Sequence, residues 1–475
     1  MGRVADSKRA RGTRSAAAYA LAALLLTACA ALEGGPAAST SHEVVGYYPG
    51  WVAPRFAPTP EHIAARNLTV VNYAFLDICW RGRHGNPAEG GMRDCSAAAA
   101  APASDPSPDA VSAAAASTAA VPPDGALVLG APELDAVPGL DNLAQLVRLK
   151  ESNPRLRLMA SVGGWTWSNR FSDMAASAAT RRNFIDSSIA FLRGRQFDGI
   201  DIDWEYPTAA GIACTAGETC SRAEDKRNFV LLARELRAAF DAAGAVDGKH
   251  YLVTIAAGAD RRYVEDALTG NAWLAELARS LDWINLMTYD YHNTTAALAA
   301  HVAPLRFDAR DPSSDAIDAH VEATVRMFRA AGVPAQQLVL GVPFYGYGWA
   351  GCPGGRRSDG LYQICTGPAA GSQGPNFEFD FLVDQGYLAL DATGKFTVAG
   401  RGFTRYWNDA ASTPYLYNAT TRVFISYDDE ESIARKMRFL KAQGLRGAMF
   451  WQIEGDRGGV LQNVIKQTLA GAPAE

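Results

Sequence analysis

Eight short runs rich in β-branched and aromatic residues recur between residues 43 and 453, and amphipathic helical patterns separate them. In two of the helical segments, TRRNFIDSSIAFLRGR and EDKRNFVLLARELRAAFDAAG, apolar residues repeat at spacings of three and four. Strands that alternate with helices predict parallel pairing, and eight of them can close a (β/α)8 barrel. The runs are EVVGYY, LTVVNYAFLDI, LRLMASVGGW, FDGIDIDWEY, YLVTIAAG, DWINLMTYDY, QLVLGVPFYG and LRGAMFWQI.

A doubly wound open sheet is the alternative to a barrel. It would usually have fewer strands and a glycine-rich nucleotide fingerprint, which the sequence does not contain.

Two insertions interrupt the barrel pattern. Residues 96–124 are dominated by Ala, Ser and Pro, so we predict a disordered loop after the second strand. Residues 350–420 combine Gly-rich loops with aromatic pieces such as FTRYWN, which predicts an α+β subdomain after strand seven.

The N-terminal residues are predicted to form a signal peptide rather than part of the fold. Basic residues at positions 8, 9, 11 and 14 precede the apolar run AAAYALAALLL, which is short for a membrane span. LTAC at 26–29 resembles a bacterial lipobox, in which Cys29 would be acylated; an ordinary cleavage site with a chance cysteine is the alternative. We predict a lipoprotein-type signal peptide at 1–29, a tether at 30–42 and one barrel at 43–470. The protein would be exported, and either lipid-anchored at the bacterial cell envelope or secreted.

The composition argues against nucleic acid and metal ions as partners. The net charge is -5 and no basic stripe is visible. The seven histidines are scattered, without the HExxH or Cys/His spacing of a metal site. We expect a monomer that uses no cofactor and no metal, and that meets a membrane only through an N-terminal lipid.

The cysteine count fits an oxidising compartment. Of seven cysteines, six remain when Cys29 is set aside, and an even number suits disulfides. They fall into local pairs that would each close a short loop, with free buried thiols as the alternative. The pairs are Cys79 with Cys95, Cys214 with Cys220, and Cys352 with Cys365.

The run FDGIDIDWEYP, residues 197–207, places acidic side chains in what looks like a buried strand, where carboxylates are costly. Side chains alternate faces along a strand, so Asp201, Asp203 and Glu205 share one face. The apolar face suits the helix layer, which leaves the carboxylates inside the barrel with Glu205 at the C-terminal rim. Crowding raises some of their pKa values, so a Glu can stay protonated and act as a general acid. The alternative is a cluster held by Arg or Lys, but the neighbouring runs offer no basic residue at matching height.

Aromatic residues at the strand ends suggest a sugar substrate, because flat rings suit the apolar faces of pyranoses. Core packing is the alternative for most of them, with Trp165 and Trp451 at the predicted rim as the exceptions. Asp203 and Glu205 would lie about 6.6 Å apart along one strand. An ordinary two-carboxylate glycosidase places its partners across the cleft. A substrate that carries its own nucleophile, such as a 2-acetamido group, would fill this gap.

Five ordered motifs resemble those of the family 18 glycoside hydrolases, the chitinases. DGIDIDWEYP matches the DxxDxDxE signature, SVGGWT the SxGG strand and LMTYDYH the MxYD pattern, while GVPFYG and GAMFWQIEGD match strands seven and eight. The resemblance covers residue 43 to about residue 465, and residues 350–420 look like the insertion subdomain of the deeper-clefted members. It implies a bacterial chitinase that cleaves β-1,4-N-acetylglucosamine linkages in chitin or chito-oligosaccharides with retention.

The resemblance also implies roles for individual residues. Glu205 would protonate the glycosidic oxygen while the acetamido oxygen of the substrate attacks the anomeric carbon. Asp203 would turn toward Glu205 and hold the acetamido N–H. Asp201 would share a proton with Asp203, and Tyr289 would orient the acetamido group. The implied sugar-binding residues are Trp451 as the floor of the central subsite, Asp290, Met287, Trp165, Tyr47, Phe75 and Tyr345.

Two departures from the family pattern concern the product side of the cleft. After LMTYDYH the chain reads NTTAA where Gly and then Trp are frequent, and Tyr347 lies where relatives often carry Arg.

Two other functions stay open. An endo-β-N-acetylglucosaminidase acting on N-glycan cores would need a more open cleft than the large insertion suggests. A non-catalytic chitin-binding lectin on the same barrel would usually lose the acid that Glu205 supplies.

Overall fold

The computed structural model shows a closed barrel of eight parallel strands, which confirms the predicted (β/α)8 fold. It describes residues 42–471 apart from 61, 89–90, 99–119, 136–140, 208, 210, 213 and 216–217. The barrel strands are β1 (Glu43–Pro49), β2 (Val70–Ile78), β3 (Arg157–Gly163), β4 (Gly199–Asp203), β5 (Leu252–Gly258), β6 (Trp283–Met287), β7 (Leu338–Pro343) and β8 (Gly447–Trp451). The barrel closes because β1 pairs in parallel with both β2 and β8: Val45 lies opposite Val70 on one side and Met449 on the other.

Helices cover the outside of the barrel. The two predicted from apolar spacing extend over Ala178–Arg195 and Asp225–Asp247. Ser177 caps the first by accepting a hydrogen bond from the Thr180 N–H. Gly248 ends the second in the left-handed conformation. The other α-helices are Pro132–Asp135, Asn142–Ser152, Gly164–Trp167, Phe171–Ala176, Arg261–Leu268, Trp273–Ala278, Val321–Ala330, Phe379–Asp384, Glu430–Gln443 and Val460–Ala470.

The segment between β2 and β3 contains more structure than the sequence indicated. An antiparallel hairpin joins Arg83–Asn86 to Gly91–Asp94, and the strand Leu127–Leu129 adds antiparallel to β2. Each of these strands has only three or four residues, which is too short for its apolar and polar residues to show a period. Most of the predicted disordered loop at 96–124 lies outside the described residues, so that expectation stays a prediction.

The insertion after β7 is built on a six-stranded antiparallel sheet and includes the helix Phe379–Asp384. The sheet begins at Tyr345 and ends at Ser426, so it extends beyond the predicted range of 350–420 at both ends. Its first strand follows β7 after a single residue, within the same apolar run, which concealed the boundary. Its strands are Tyr345–Ala350, Gly367–Pro368, Asn376–Glu378, Thr404–Asn408, Thr413–Asn418 and Val423–Ser426; two short pairs, Leu298–Ala299 with Gln363–Ile364 and Leu388–Ala389 with Val398–Ala399, lie apart from this sheet.

Apolar side chains form two separate layers around the strands. On the outer face, Ile200, Ile202 and Trp204 are buried under the helices, and the Trp204 ring stacks on Phe171 at a centroid distance of 5.4 Å. The buried residues of the interior cluster are Val45, Tyr47, Val70, Ala74, Met159, Leu252, Trp283, Val339 and Met449. Polar side chains adjoin this interior cluster toward the C-terminal ends of the strands, and these ends carry the candidate site.

Candidate active site

Strand β4 carries its carboxyl groups into the barrel interior. Asp201 and Asp203 are 0% and 4% exposed, and Asp201 is hydrogen-bonded to side chains of four other strands. Glu205 follows the end of the strand and is partly buried at the C-terminal rim. The structure therefore brings together the three carboxyl groups that the alternation of the strand predicted on one face.

Asp201 is surrounded by neutral donors. Its Oδ2 accepts hydrogen bonds from the Tyr47 hydroxyl at 2.7 Å and the Ser161 hydroxyl at 2.8 Å. Its Oδ1 accepts from the Thr254 hydroxyl at 2.6 Å and from Asn285 Nδ2 at 3.1 Å. Burial raises the pKa of Asp201, and these four hydrogen bonds oppose the rise. The buried charge is thus compensated by hydroxyls and an amide rather than by Arg or Lys.

Asp203 receives fewer hydrogen bonds from the surrounding protein than Asp201 does. Among the described residues, no hydrogen bond reaches its Oδ1. Burial, followed by the charges of Glu205 and Asp201, raises the pKa of Asp203 well above its ordinary value. If the three carboxyl groups share one proton, this proton therefore resides on Asp203 in preference to Asp201. Direct sharing of this proton between the two side chains stays a prediction.

Glu205 has the properties of a general acid. Its backbone N–H donates to Ser168 Oγ at 2.8 Å, and the same hydroxyl lies 3.1 Å from the backbone oxygen of Asp203. Burial raises the pKa of Glu205 to about 7; a hydrogen bond from Tyr206 opposes the rise and the charge of Asp290 adds to it. A carboxyl group with such a pKa is substantially protonated near neutral pH and can donate its proton to a leaving group.

The residues after β6 form the wall next to the acid. The Tyr345 hydroxyl donates to Asp290 Oδ1 at 2.6 Å, and the Tyr289 and Tyr345 rings meet edge to face at 6.2 Å. Burial raises the pKa of Asp290 to about 6, and hydrogen bonds from Tyr345 and Tyr347 oppose the rise. Burial also raises the pKa of Tyr289 well above its ordinary value, so this residue remains a neutral phenol that can donate a hydrogen bond into the cleft.

Aromatic side chains form the floor of the cleft. The rings of Phe75 and Trp451 stack at 5.7 Å, and Tyr47 and Trp51 each contact Trp451, at 5.8 Å and 6.2 Å. Trp51 is 44% exposed and Trp165 is 48% exposed, and both line the cleft. These exposed faces are suited to stacking against pyranose rings.

These groups line one cleft of about 1490 Å³. Of the predicted site residues, only Asp201 lies beneath its surface rather than on it. Sequence analysis did not assign Tyr206, Trp51 or the charged residues beyond β5 to the site. The predicted site residues on the cleft surface are Tyr47, Phe75, Trp165, Asp203, Glu205, Met287, Tyr289, Asp290, Tyr345 and Trp451, and further lining residues include Trp51, Tyr206, Lys226, Asp260, Arg261, Arg262, Glu265, Asn376 and Glu378.

The donors to Asp201 were also missed, although the sequence contains a signal for them. Ser161, Thr254 and Asn285 are polar residues inside otherwise apolar strands. A buried strand with one polar side chain on its inner face must place that group against a partner. Aligning such positions across the eight strands would have identified this layer.

The three disulfides join the cysteines in the predicted local pairs. They are Cys79–Cys95, Cys214–Cys220 and Cys352–Cys365.

A family model for glycosyl hydrolases family 18 matches residues 43–456, which is most of the chain. The chain belongs to glycosyl hydrolase family 18. The match spans the barrel strands and the insertion together, so it covers the acidic strand β4, the wall after β6 and the floor residue Trp451.

Named family 18 relatives resemble this chain in sequence and in structure. Chitinase A1 of Niallia circulans is 43% identical over 447 residues, which cover 91% of this chain and 59% of that relative. A solved chitinase from Bacillus thuringiensis superimposes with a TM-score of 0.76 at 38% identity, covering 92% of this chain and 70% of that one. A solved family 18 N-acetylglucosaminidase from Paenibacillus barengoltzii gives a TM-score of 0.65 at 32% identity, covering 90% of this chain and 99% of that one.

The chain spans about three fifths of the length of curated family 18 relatives that it matches. Family membership and fold therefore rest on the shared region, and the activity of the protein is argued from the residues of its own cleft.

Proposed function

We propose that the protein is a chitinase that cleaves β-1,4-N-acetylglucosamine linkages in chitin or chito-oligosaccharides by a retaining, substrate-assisted mechanism. The observation that carries this proposal is the pair of carboxyl groups at the end of β4, the acid pair: burial raises the pKa of Glu205 to about 7, and burial together with the charges of Glu205 and Asp201 raises the pKa of Asp203 well above its ordinary value. Both groups reach the cleft from the same side, so the arrangement suits a substrate that supplies the nucleophile.

The proposed chemistry follows from these protonation states. Glu205 donates its proton to the glycosidic oxygen, and the bond from the anomeric carbon to the departing sugar breaks while the acetamido oxygen of the sugar in the central subsite attacks that sugar's own anomeric carbon. Asp203 turns toward Glu205 and holds the acetamido N–H, which stabilises the developing positive charge. The phenol of Tyr289 orients the acetamido group. Glu205 then takes a proton from water, which opens the oxazolinium ring and regenerates the acid.

The aromatic residues would hold the polymer on the cleft. Trp451, supported by Phe75, offers its face to the distorted sugar, and Trp165 offers a second platform at the rim. Tyr47 offers little surface to a sugar, because it is buried and its hydroxyl donates to Asp201. Asp290, Met287 and Tyr345 line the sugar site on the β6 and β7 side.

Hydrolysis of N-acetylglucosamine oligomers, with product anomers followed by NMR, tests the proposal. We expect the β-anomer first from the wild-type protein and no turnover from Glu205→Gln, which keeps the shape of the side chain and removes its proton. Tight binding of oligomers without turnover in the wild type would instead support a lectin.

An endo-β-N-acetylglucosaminidase that acts on N-glycan cores is the second candidate. The two activities separate on products. A chitinase releases short oligomers from chitin chains, whereas the alternative would release a glycan from a glycopeptide and leave chitin oligomers uncut.

We propose that the protein is exported as a monomer, with a signal peptide at 1–29, an acylated Cys29 and a tether at 30–42. The basic and apolar pattern of the N-terminus and three disulfides support export. In the part of the chain that the structure describes, no helix has the length and apolarity needed to cross a bilayer. Labelling of cells with a fatty acid, comparing wild type with Cys29→Ala, tests the anchor: label on the wild type alone supports it.

A further inference from the structure

Beneath the acid pair, a second pair of side chains on β6 contacts the Asp201 network. The indole N–H of Trp283 donates to Asn285 Oδ1 at 3.0 Å. Asn285 Nδ2 in turn lies 3.1 Å from Asp201 Oδ1 and 3.4 Å from the Tyr47 hydroxyl. Trp283, Asn285 and Asp201 are all fully buried, so this chain of contacts has no access to bulk water.

The chemistry of the indole fixes the direction of every bond in this chain. An indole N–H can only donate, so the amide of Asn285 must present its oxygen to Trp283. The reversed amide would place two donors face to face at the indole and two acceptors face to face at Asp201. The Asn285 N–H groups therefore point at Asp201 and at the Tyr47 oxygen.

This direction also sets the hydroxyl of Tyr47. Because the Tyr47 oxygen lies opposite a donor on Asn285, its own proton is free to point at Asp201 Oδ2, 2.7 Å away. Asp201 then receives two O–H bonds on Oδ2 and one O–H and one N–H bond on Oδ1, a pattern that stabilises its ionised form. A proton on Asp201 Oδ1 would face the N–H of Asn285, which cannot accept it.

Two arginine side chains contact the ring of Trp283. The guanidinium groups of Arg446 and Arg157 lie 4.9 Å and 5.7 Å from its centroid, and both arginines form ion pairs with Glu43 on β1. The indole therefore has a fixed position at the lower end of the barrel interior.

We propose that Trp283 and Asn285 are positioning residues that keep Asp201 ionised and so leave the mobile proton of the cluster on Asp203. This inference rests on the proposed glycosidase function and assigns it two residues that touch no substrate. The titratable groups that face Asp201 are Asp203 on its own strand, Tyr47 on β1 and Tyr289 after β6, while β3 and β5 contribute the neutral hydroxyls of Ser161 and Thr254.

Asn285→Leu tests the proposal, because it removes the amide and keeps the number and branching of the side-chain heavy atoms. Loss of one hydrogen bond to a carboxylate should raise the pKa of Asp201 by about one unit. In a plot of kcat against pH, the acidic limb is the range in which kcat declines as the pH falls. This limb should move to higher pH by the same amount. On the acidic side of the profile we expect kcat to fall by up to about tenfold relative to the wild type, with the loss shrinking toward neutral pH and KM within about twofold of wild type.

Asn72→Leu is the matched control. Asn72 lies in the barrel interior on β2, opposite Tyr47 in register, yet no hydrogen bond reaches its amide from the described residues. The same chemical change there should leave the acidic limb in place. Trp283→Phe is the second variant: it leaves Asn285 intact and removes the donor that orients it together with part of the buried ring, so the limb should move in the same direction by a smaller amount.

The outcomes separate the inference from the function on which it rests. Wild-type protein that does not cleave N-acetylglucosamine oligomers contradicts the proposed function itself. Active wild type, a shifted limb in Asn285→Leu and an unshifted limb in Asn72→Leu support the inference. Equal losses in both variants with unchanged limbs overturn it, since they show a purely structural effect. If Asn285→Leu does not fold, the limb of Trp283→Phe decides in the same way.

Discussion

The charge of Asp290 should raise the alkaline limit of catalysis beyond the value that burial alone gives, because it acts on the proton of Glu205. Burial raises the pKa of Glu205 from 4.5 to about 7, and the negative charge of Asp290 adds to this rise. Asp290→Asn removes that charge and keeps the size of the side chain. The pKa of Glu205 should then fall by about one unit, while burial holds it above its ordinary value. Since a general acid must be protonated, the alkaline limb of kcat/KM should move to lower pH by that amount.

Tyr345→Phe provides an independent check on the same coupling. The Tyr345 hydroxyl donates to Asp290 at 2.6 Å and so opposes the rise of its pKa to about 6. Without this donor, Asp290 should keep its proton to higher pH and exert less charge on Glu205 near neutrality. The alkaline limb should therefore move in the same direction as in Asp290→Asn, but less.

The assay is the initial rate of N-acetylglucosamine oligomer hydrolysis from about pH 4 to about pH 10, on variants whose folding is checked by thermal unfolding. Asp315→Asn is the control, because Asp315 is an exposed carboxylate on the same cleft wall and is not among the groups that shift the pKa of Glu205. An alkaline limb in Asp290→Asn that coincides with that of the wild type would refute the coupling.

Three further predictions concern stability and substrate binding. Arg405→Leu should lower the free energy of unfolding by about 3 to 5 kcal/mol in a denaturant titration, because it leaves the fully buried carboxylate of Asp429 without its partner at 2.7 Å. Replacing Cys352 and Cys365 together by Ser should lower it by about 3 kcal/mol, since the disulfide closes a loop with a sequence separation of 13. Trp165→Ala should leave the unfolding temperature unchanged, because the ring is 48% exposed, and should raise KM about tenfold for long oligomers but not for short ones.

The barrel could be predicted from the sequence because its signal is local. Each strand and helix has its own apolar period, and the alternation of FDGIDIDWEYP alone places Asp201, Asp203 and Glu205 on one face. The order of five motifs then indicated the family. Short strands such as Leu127–Leu129 escaped notice because three residues carry no measurable period.

The surroundings of the acid pair could not be predicted in the same way, because they depend on closure of the barrel. Asp201 receives bonds from Tyr47 and Ser161, which lie 154 and 40 residues away along the chain. The indole of Trp283 acts on Asp201 only through the amide of Asn285. Such contacts follow from strand register and side-chain direction, neither of which the sequence displays.

The role of the substrate as nucleophile is the central claim, and a matched pair of aryl glycosides tests it most directly. The two substrates share one leaving group and differ at C2 of both sugars, including the sugar in the central subsite: C2 carries an acetamido group in the chitobioside and a hydroxyl in the cellobioside. We predict rapid release from the chitobioside, with the β-anomer as the first product, and no measurable release from the cellobioside. Comparable turnover of the cellobioside would show that a protein side chain serves as nucleophile and would contradict the account.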